Sequence, residues 1–508
     1  MAPWLIAFLA CLLAYFWKCK TSKPKSFPPG PARYPILGSA MSLQNPKTKK
    51  PELFYGIRKL QQEYGSIFGF YLGNQSAVAI TKFEDIKEIL SKSETAHRPP
   101  VIGLAAKPGK FTAQEVDPEL NKDNPPGIIL SNGRYWSEQR RFMLKTLREF
   151  GFGKSSMEAG IQEDVKMLID HLALRAGKPT EIGESLNIAI INSLWSILVG
   201  EKLKLNDPKL EMVVKATNDL ITSEGPTGLI ANLLPHKSMI YWPFFKQVSG
   251  YSLIESIMKK LEAFMLPYIE NHQNSDSYID EMLREIAKTT DKTSSFYGER
   301  GQFALINNVI DLFMAGVETT SSSLLWSFLY LLHYPECQAK IQEELDRVCG
   351  SNRLPNLDDK PSLHYTNAFL QESLRLTCFV PLSVFHFTSE DVTVHGYVIP
   401  EKTMVIPSLY HVMHDPDHFP EPGLFKPDRF LDENGHFMAN ERVIPFGVGR
   451  RICLGKSLAE KELFLFFTGI LQRFSVLNVP GVTPPPFGID FPMPGIVRNV
   501  PRFQLVLQ

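Results

Sequence analysis

The chain has 508 residues, with 54 Lys and Arg set against 54 Asp and Glu, and it is rich in Pro (38) and Phe (34). An even charge balance speaks against a polyanion partner, nucleic acid included, and the length allows a large buried core or about three domains. The six cysteines (Cys11, Cys19, Cys337, Cys349, Cys378 and Cys453) are sparse, contain no CxxC pair and form no disulfide framework, which points to a reducing compartment.

Residues 2–17 are apolar throughout, and Lys18, Lys20, Lys23 and Lys25 come directly after them. The run is shorter than the ~20 residues that cross a typical bilayer, although the endoplasmic reticulum membrane is thinner. A cleaved signal peptide is the competing reading. Against it, the basic cluster comes after the apolar run, and Tyr15-Phe16-Trp17 occupies the place of small cleavage-site residues. Positive charge on that side keeps the rest of the chain in the cytosol. Residues 1–20 are therefore expected to be a single retained membrane anchor, and residues 21–35 a basic, proline-rich linker. Within the linker, Phe27-Pro28-Pro29-Gly30-Pro31 cannot continue a helix and reads as a stiff, bent spacer. Helical spacing is expected over residues 48–64, and a hairpin over 66–80 around Gly73-Asn74. Residues 98–130, rich in Pro, Gly, Asn and Asp, read as a long irregular loop, a class that is often functional.

A helix is expected to open near Trp136 and run to Glu149. Trp136 and Arg140 are four apart and share one face, while Arg141, Lys145 and Arg148 share a second, basic one. The basic face is either a solvated stripe or a docking surface for an acidic partner, and Trp136 with Arg140 is a candidate anion holder. Residues 155–300 are mostly helical in pattern. Within them, residues 229–245 are apolar with little charge, as core or as a surface that dips into the membrane. The longest helical pattern covers 303–334, ended by Pro335. It carries Ala315-Gly316-Val317-Glu318-Thr319-Thr320, and Thr319 is placed to bond back to the Ala315 carbonyl and bend the helix. Ile306, Ile310, Phe313, Leu324, Leu325 and Phe328 make this helix apolar all round, so it should be buried. A buried acid beside a buried hydroxyl suits proton delivery.

Residues 367–379 form a further helix with Glu372 and Arg375 three apart, by itself an ordinary surface pair. Arg429, in the F-K-P-D-R-F stretch, is placed to join them in a buried charge network that would lock the loop carrying Cys453. That loop, residues 446–455, reads F-G-V-G-R-R-I-C-L-G and precedes a Leu- and Phe-rich helix over 456–473. Nearby cations and a helix N-terminus are expected to depress the Cys453 pKa. One thiolate cannot build a zinc site, so a metal there must arrive largely coordinated, as in haem. A buried structural cysteine is the commoner fate of a single thiol.

Five motifs thus stand in one order: W-x-x-x-R at 136–140, A-G-x-E-T-T at 315–320, E-x-x-R at 372–375, P-D-R-F at 427–430 and F-x-x-G-x-R-x-C-x-G at 446–455. With the apolar N-terminus and the P-P-G-P stretch, the chain resembles a membrane-bound cytochrome P450, a haem-thiolate monooxygenase of the animal microsomal type. The stretch over residues 138–153 resembles arthropod members. The resemblance implies a mainly α fold with a smaller β-sheet-rich part behind an N-terminal anchor helix, with residues 36–508 as one haem-thiolate catalytic domain.

It further implies that Cys453 is the axial ligand of the iron of haem b, with Phe446 packed near the sulfur. Trp136, Arg140, Arg451 and His386 would hold the haem propionates, although F-H-F at 385–387 lacks a second basic residue. Glu372, Arg375 and Arg429 would be structural, with Asp428 standing where Glu is common. Thr319 and Glu318 would relay protons to dioxygen, and Gly316 would leave room for it. Ala315, Val380, Leu382, Val384, Phe491 and Met493 would line the substrate site. Electrons would come from NADPH through a flavoprotein reductase docking on Arg141, Lys145, Arg148 and Lys456, with cytochrome b5 as a candidate second partner. The substrate would be a small apolar terpenoid, sterol hormone, lipid or xenobiotic, and the location the endoplasmic reticulum membrane with a cytosolic catalytic domain. The rival readings are a haem-thiolate isomerase or dehydratase that does not use dioxygen, and a non-enzymatic haem-binding membrane protein. The Glu318–Thr319 pair favours the monooxygenase, since the rivals have no use for a proton relay.

Overall fold

Runs with apolar residues at helical spacing must bury their faces against one another, and the fold is accordingly a body of packed helices with small sheets beside it. The structure is a computed structural model and describes residues 21–48, 52–100, 126–150, 155–203, 208–222, 242–248, 251–271, 277–488 and 497–508. The expected anchor (1–20), most of the 98–130 loop, most of the apolar 229–245 stretch, Phe491 and Met493 lie outside the described residues. Among the described residues no helix is long and apolar enough to cross a membrane.

In chain order, α1 (Leu53–Tyr64) is followed by β1 (Ile67–Leu72), β2 (Gln75–Ile80) and α2 (Phe83–Ser91). Then come α3 (Gly133–Glu149), α4 (Ser155–Ala173), α5 (Gly183–Val199), α6 (Pro208–Thr222), the short α7 (Pro243–Val248), α8 (Tyr251–Glu270) and α9 (Tyr278–Lys288). The 36-residue α10 (Gly298–His333) leads into α11 (Pro335–Val348) and α12 (His364–Thr377). Next are β3 (His386–Phe387), β4 (Val392–Val394), β5 (Tyr397–Ile399), β6 (Met404–Pro407) and the short α13 (Leu409–Met413). The chain closes with α14 (Lys456–Arg473), β7 (Val476–Asn478) and β8 (Leu505–Leu507).

The β1–β2 hairpin pairs Ile67 with Ile80 and turns at Gly73-Asn74, where Gly73 has φ +61°. Parallel β6 then joins β2, with Ala77 opposite Met404, and β3 pairs antiparallel on its far side. Two pieces more than 300 residues apart thus make one sheet, and the helical body is strung between them. The expected stiff spacer packs onto this unit: Phe27 is buried, Gly69 N–H donates to Pro29 O at 2.8 Å, and a side chain at Gly30 would collide with the Gly69 carbonyl.

Helix α10 runs through the main core, packed by α5, α8, α9, α12 and α14. It is buried along almost its whole length, as expected of a helix apolar all round, and stops where Pro335 starts α11. The sheet has its own core with α1 and α2. The thiol loop joins these two halves, with Arg450 N–H donating to Leu90 O of α2 at one side and α14 starting at its other end.

Candidate active site

Cys453 N–H donates to Phe446 O at 3.0 Å, which closes the 446–455 loop on half-buried Phe446. Gly447 and Gly449 bend it at φ +69° and +79°, values that suit glycine. At Gly449 a Cβ would run into the Leu90 carbonyl, and the next residue, Arg450, donates its N–H to that same oxygen at 3.0 Å. The N–H groups of Gly455 and Lys456, at the start of α14, reach the Cys453 sulfur. The thiol is accessible at its surface and enclosed by protein at longer range, as on the floor of a cleft. Burial pushes its pKa up, against the pull of the two N–H donors and Arg140. This corrects the expected acid shift. The cations and the helix N-terminus act in the expected direction, but desolvation is larger.

Arg451 of this loop belongs to a group of arginines. Arg451 lies 3.8 Å over the Trp136 ring and Arg140 lies 5.8 Å from it. Arg451 Nε donates to Ala96 O at 2.6 Å and Nη2 to Ser131 O at 2.5 Å, while Arg140 Nη2 donates to Ile452 O at 2.6 Å. The third member, Arg98, carries no mark in the sequence. It is buried, and its Nη1 donates to the carbonyls of Val384 and Phe385 at 2.6 and 2.9 Å. Burial and mutual repulsion pull Arg98 down to about 9 and Arg451 to about 8, and burial lowers Arg140. Among the described residues no carboxylate pairs with these three. Arg98 Nε and Trp136 Nε1 are buried with no hydrogen-bond partner among the described residues. Clustered buried cations with orphaned donors call for an anion.

His386 is placed beside them but in a different role. Its Nδ1 lies 2.8 Å from Thr95 O, and burial, with Arg98 and Arg451 near, drives its pKa well below the usual histidine range. The neutral ring must donate through Nδ1 to that carbonyl, which leaves Nε2 as an acceptor. With Nδ1 donating to Thr95 O, the neutral ring has no second N–H to offer an anion.

On α10, Thr319 Oγ1 donates to Ala315 O at 2.9 Å, as the sequence indicates. Ala315 is exposed and Thr319 half-exposed, so these two define the open face of the helix. Glu318 points elsewhere. It is buried, its Oε1 accepts from Ser322 Oγ at 2.6 Å, Asn187 of α5 is in reach, and Oε2 has no partner. Burial outweighs those hydrogen bonds and raises its pKa, favouring the protonated acid. Two expectations change here. The hydroxyl that touches the acid belongs to Ser322, and Thr319 is not buried. Gly316 makes room for α5: a Cβ there would lie 2.9 Å from Leu194 Cδ2 and 3.3 Å from Ile191 Cδ1. A second buried acid, Glu462 of α14, lies against Thr320 and is raised further by burial and by Asp164. Its one sequence signal is a lone acid inside a Leu- and Phe-rich run, whereas Arg98 has no spacing to mark it.

Arg375 grips fully buried Glu372 at 2.6 and 2.8 Å, and Arg429 Nε adds 3.2 Å. Arg375 Nη1 also donates to Met413 O and Pro422 O. The network thus ties α12 to the 413–429 segment, one step upstream of the thiol loop rather than to the loop itself. Of the expected lining residues, Ala315 and Val384 are exposed, Val380 is half-buried and Leu382 packs into the sheet core. Arg141, Lys145 and Arg148 are exposed along a shallow cleft with Leu144 and Glu149; Lys456 is also exposed.

The family model described as Cytochrome P450 matches residues 28–507. Cytochrome P450 2J2 of Homo sapiens is 35% identical over 479 residues, 93% of this chain and 89% of its own length. Cytochrome P450 2B4 of Oryctolagus cuniculus is 34% identical over 506 residues, 98% and 96% of the two chains. Cytochrome P450 2L1 of Panulirus argus is 32% identical over 462 residues, 89% of each.

Proposed function

This chain belongs to the cytochrome P450 family of haem-thiolate monooxygenases, and from that premise we propose that it sits at the endoplasmic reticulum membrane and oxidises a small apolar lipid, terpenoid, sterol hormone or xenobiotic with electrons from NADPH. The observation that carries the reading is the cluster of buried Arg98 and Arg451 with half-buried Arg140, for which no carboxylate partner stands among the described residues, beside a free thiol at Cys453. Its donors suit the two carboxylates of haem, and its sulfur suits iron. Haem held there would supply activation of dioxygen, which electron donation from a thiolate would favour. Turnover with isotopically labelled dioxygen should place one labelled atom in the product; product made without label would overturn monooxygenation.

In this reading Cys453 would be the residue that holds the haem iron. A coordinating metal deprotonates a thiol outright, which offsets the effect of burial. The Gly455 and Lys456 N–H groups would then temper the sulfur's donation, and Phe446, whose carbonyl accepts from Cys453 N–H, is proposed to pack near it. Arg98, Arg140, Arg451 and Trp136 hold the propionates, with His386 as a neutral neighbour. Thr319 presents its hydroxyl on the open face of α10, and Glu318 holds a proton behind it. The Thr319→Ala variant should still consume NADPH but divert it to hydrogen peroxide, cutting product per NADPH by about 10²-fold, the lower end of what a positioned proton donor contributes. Equal product per NADPH in the two proteins would remove Thr319 from the relay.

Electrons are proposed to arrive from a flavoprotein reductase, and from cytochrome b5 as a second donor, at the face of Arg141, Lys145, Arg148 and Lys456. These side chains are exposed, and exposed charges are screened within roughly 8–10 Å at physiological salt. Stopped-flow reduction by the reductase should therefore slow as salt rises, and a salt-independent rate would exclude this docking face. Residues 1–20 are proposed as the anchor and 36–508 as the catalytic domain, with 21–35 docked on β1 between them. The apolar candidate lining of Ala315, Val380 and Val384, to which Phe491 and Met493 are added from the resemblance, supports the apolar substrate. A screen of lipids for a spin-state change of the iron would identify it.

A further inference from the structure

Arg498 belongs to none of the motifs singled out from the sequence. It is 3% exposed, and its guanidinium is taken up by backbone carbonyls. Nη1 donates to Leu376 O and Thr377 O at 2.7 Å each, and Nη2 to Gly488 O at 2.6 Å. Its own N–H donates to Phe379 O at 2.9 Å. Trp326 of α10 braces it from behind, donating Nε1–H to Arg498 O at 3.3 Å with its ring 5.4 Å from the guanidinium carbon.

The carbonyls of Leu376, Thr377 and Phe379 lie at the C-terminal end of α12, where the backbone is strained. Cys378 adopts φ +41° and ψ +62°, and Ser383 φ +56°. Residues other than glycine and asparagine resist this region, and such conformations persist when their surroundings hold them. Cys378 is fully buried, and Ser383 N–H closes the turn onto Val380 O at 3.1 Å. Val380 and Leu382 lie between the two strained residues, and Val384 comes directly after them.

We propose that Arg498 is a positioning residue that clamps the 376–384 turn in its strained form and so sets the shape of the substrate site. The proposal rests on the assignment of Val380 and Val384 to that site. Arginine suits the task because a planar fork of five N–H donors can serve several carbonyls at once. Its charge also complements the C-terminal end of the α12 dipole. Lysine offers three donors on a flexible stem and should substitute only in part.

The test is the Arg498→Met holoenzyme, read in two ways that do not depend on turnover. Hydrogen exchange at the Cys378 and Ser383 amides should quicken. Binding of aryl imidazoles of increasing length, monitored by their absorption change, should weaken about ten-fold for the long members, since small misplacements of positioning groups cost that much or more. Imidazole itself should bind as before. Adding Cys378→Gly should restore tight binding, because glycine takes positive φ without strain. Unchanged exchange and unchanged binding would overturn the proposal. Faster exchange with unchanged aryl binding would also overturn it, tracing the failure to the lining assignment rather than to the clamp. Should Arg498→Met fail to yield holoenzyme, recovery by Cys378→Gly supports the clamp, and a double variant that fails as well refutes it.

Discussion

Cys453→Ser protein is expected to fold, to lose the absorption signature of thiolate ligation in its reduced, carbon monoxide-bound form, and to be inactive. The loop should survive because its closing bond runs between main-chain atoms, Cys453 N–H to Phe446 O, and its bends are set by Gly447 and Gly449. What disappears is the soft, ionisable ligand. A serine hydroxyl offers iron no comparable donor, and the two N–H groups at the start of α14 would then face a neutral oxygen. Loss of activity should exceed the ~10–100-fold that altering a group merely supporting a metal ligand produces. Absorption spectra and product formation on the same preparation decide the matter. A serine variant that kept both would remove Cys453 from the metal.

The next largest effect is expected from Glu372→Ala. Glu372 Oε1 accepts from Arg375 Nη2 and Lys426 N at 2.8 Å and from Arg429 Nε at 3.2 Å, and Oε2 accepts from Arg375 Nε at 2.6 Å. Removing the carboxylate strands Arg375, which is fully buried, with no counter-charge. Breaking a buried pair from one side costs about 3–5 kcal/mol, and a domain's whole margin is about 5–15 kcal/mol. The variant should therefore unfold at much lower denaturant and yield little haem-loaded protein. Glu372→Asp should lose less. Arg429→Ala should lose less too, since Arg429 is 11% exposed and makes one longer contact to the carboxylate. An unfolding free energy for Glu372→Ala within ~0.5 kcal/mol of the parent, the range of ordinary surface changes, would deny the network its structural role.

The elements read most directly from sequence are those whose pattern is local. The hairpin over 66–80 is marked by apolar stretches flanking Gly73-Asn74, and α10 and α14 by long apolar runs with clear ends. Direction within a buried helix is harder. Because α10 is apolar all round, nothing in its spacing says that Ala315 and Thr319 face the open side while Gly316 and Glu318 face α5. The ionisation of Cys453 escapes the sequence for a related reason: cations and a helix start are visible there, but depth of burial is not. Arg98 and Arg498 are invisible because each serves carbonyls far along the chain, near Val384 and Leu376, and no motif spacing records such a contact. The docking of Phe27 onto β1 is hidden in the same way, behind prolines whose pattern shows only a stiff, bent spacer.

The contact of Gly449 and Arg450 with the Leu90 carbonyl has a consequence for engineering. The thiol loop is not a self-contained cassette. Its height is gauged against the last turn of α2, which belongs to the sheet half of the molecule, while its far end is the first turn of α14 in the helical half. Moving the ten residues from 446 to 455 into another scaffold would carry over the sulfur without its ruler. A transplant that preserves the reach of the sulfur must bring an acceptor equivalent to Leu90 O, and redesign of α2 should hold that oxygen fixed before any side chain near the thiol is varied.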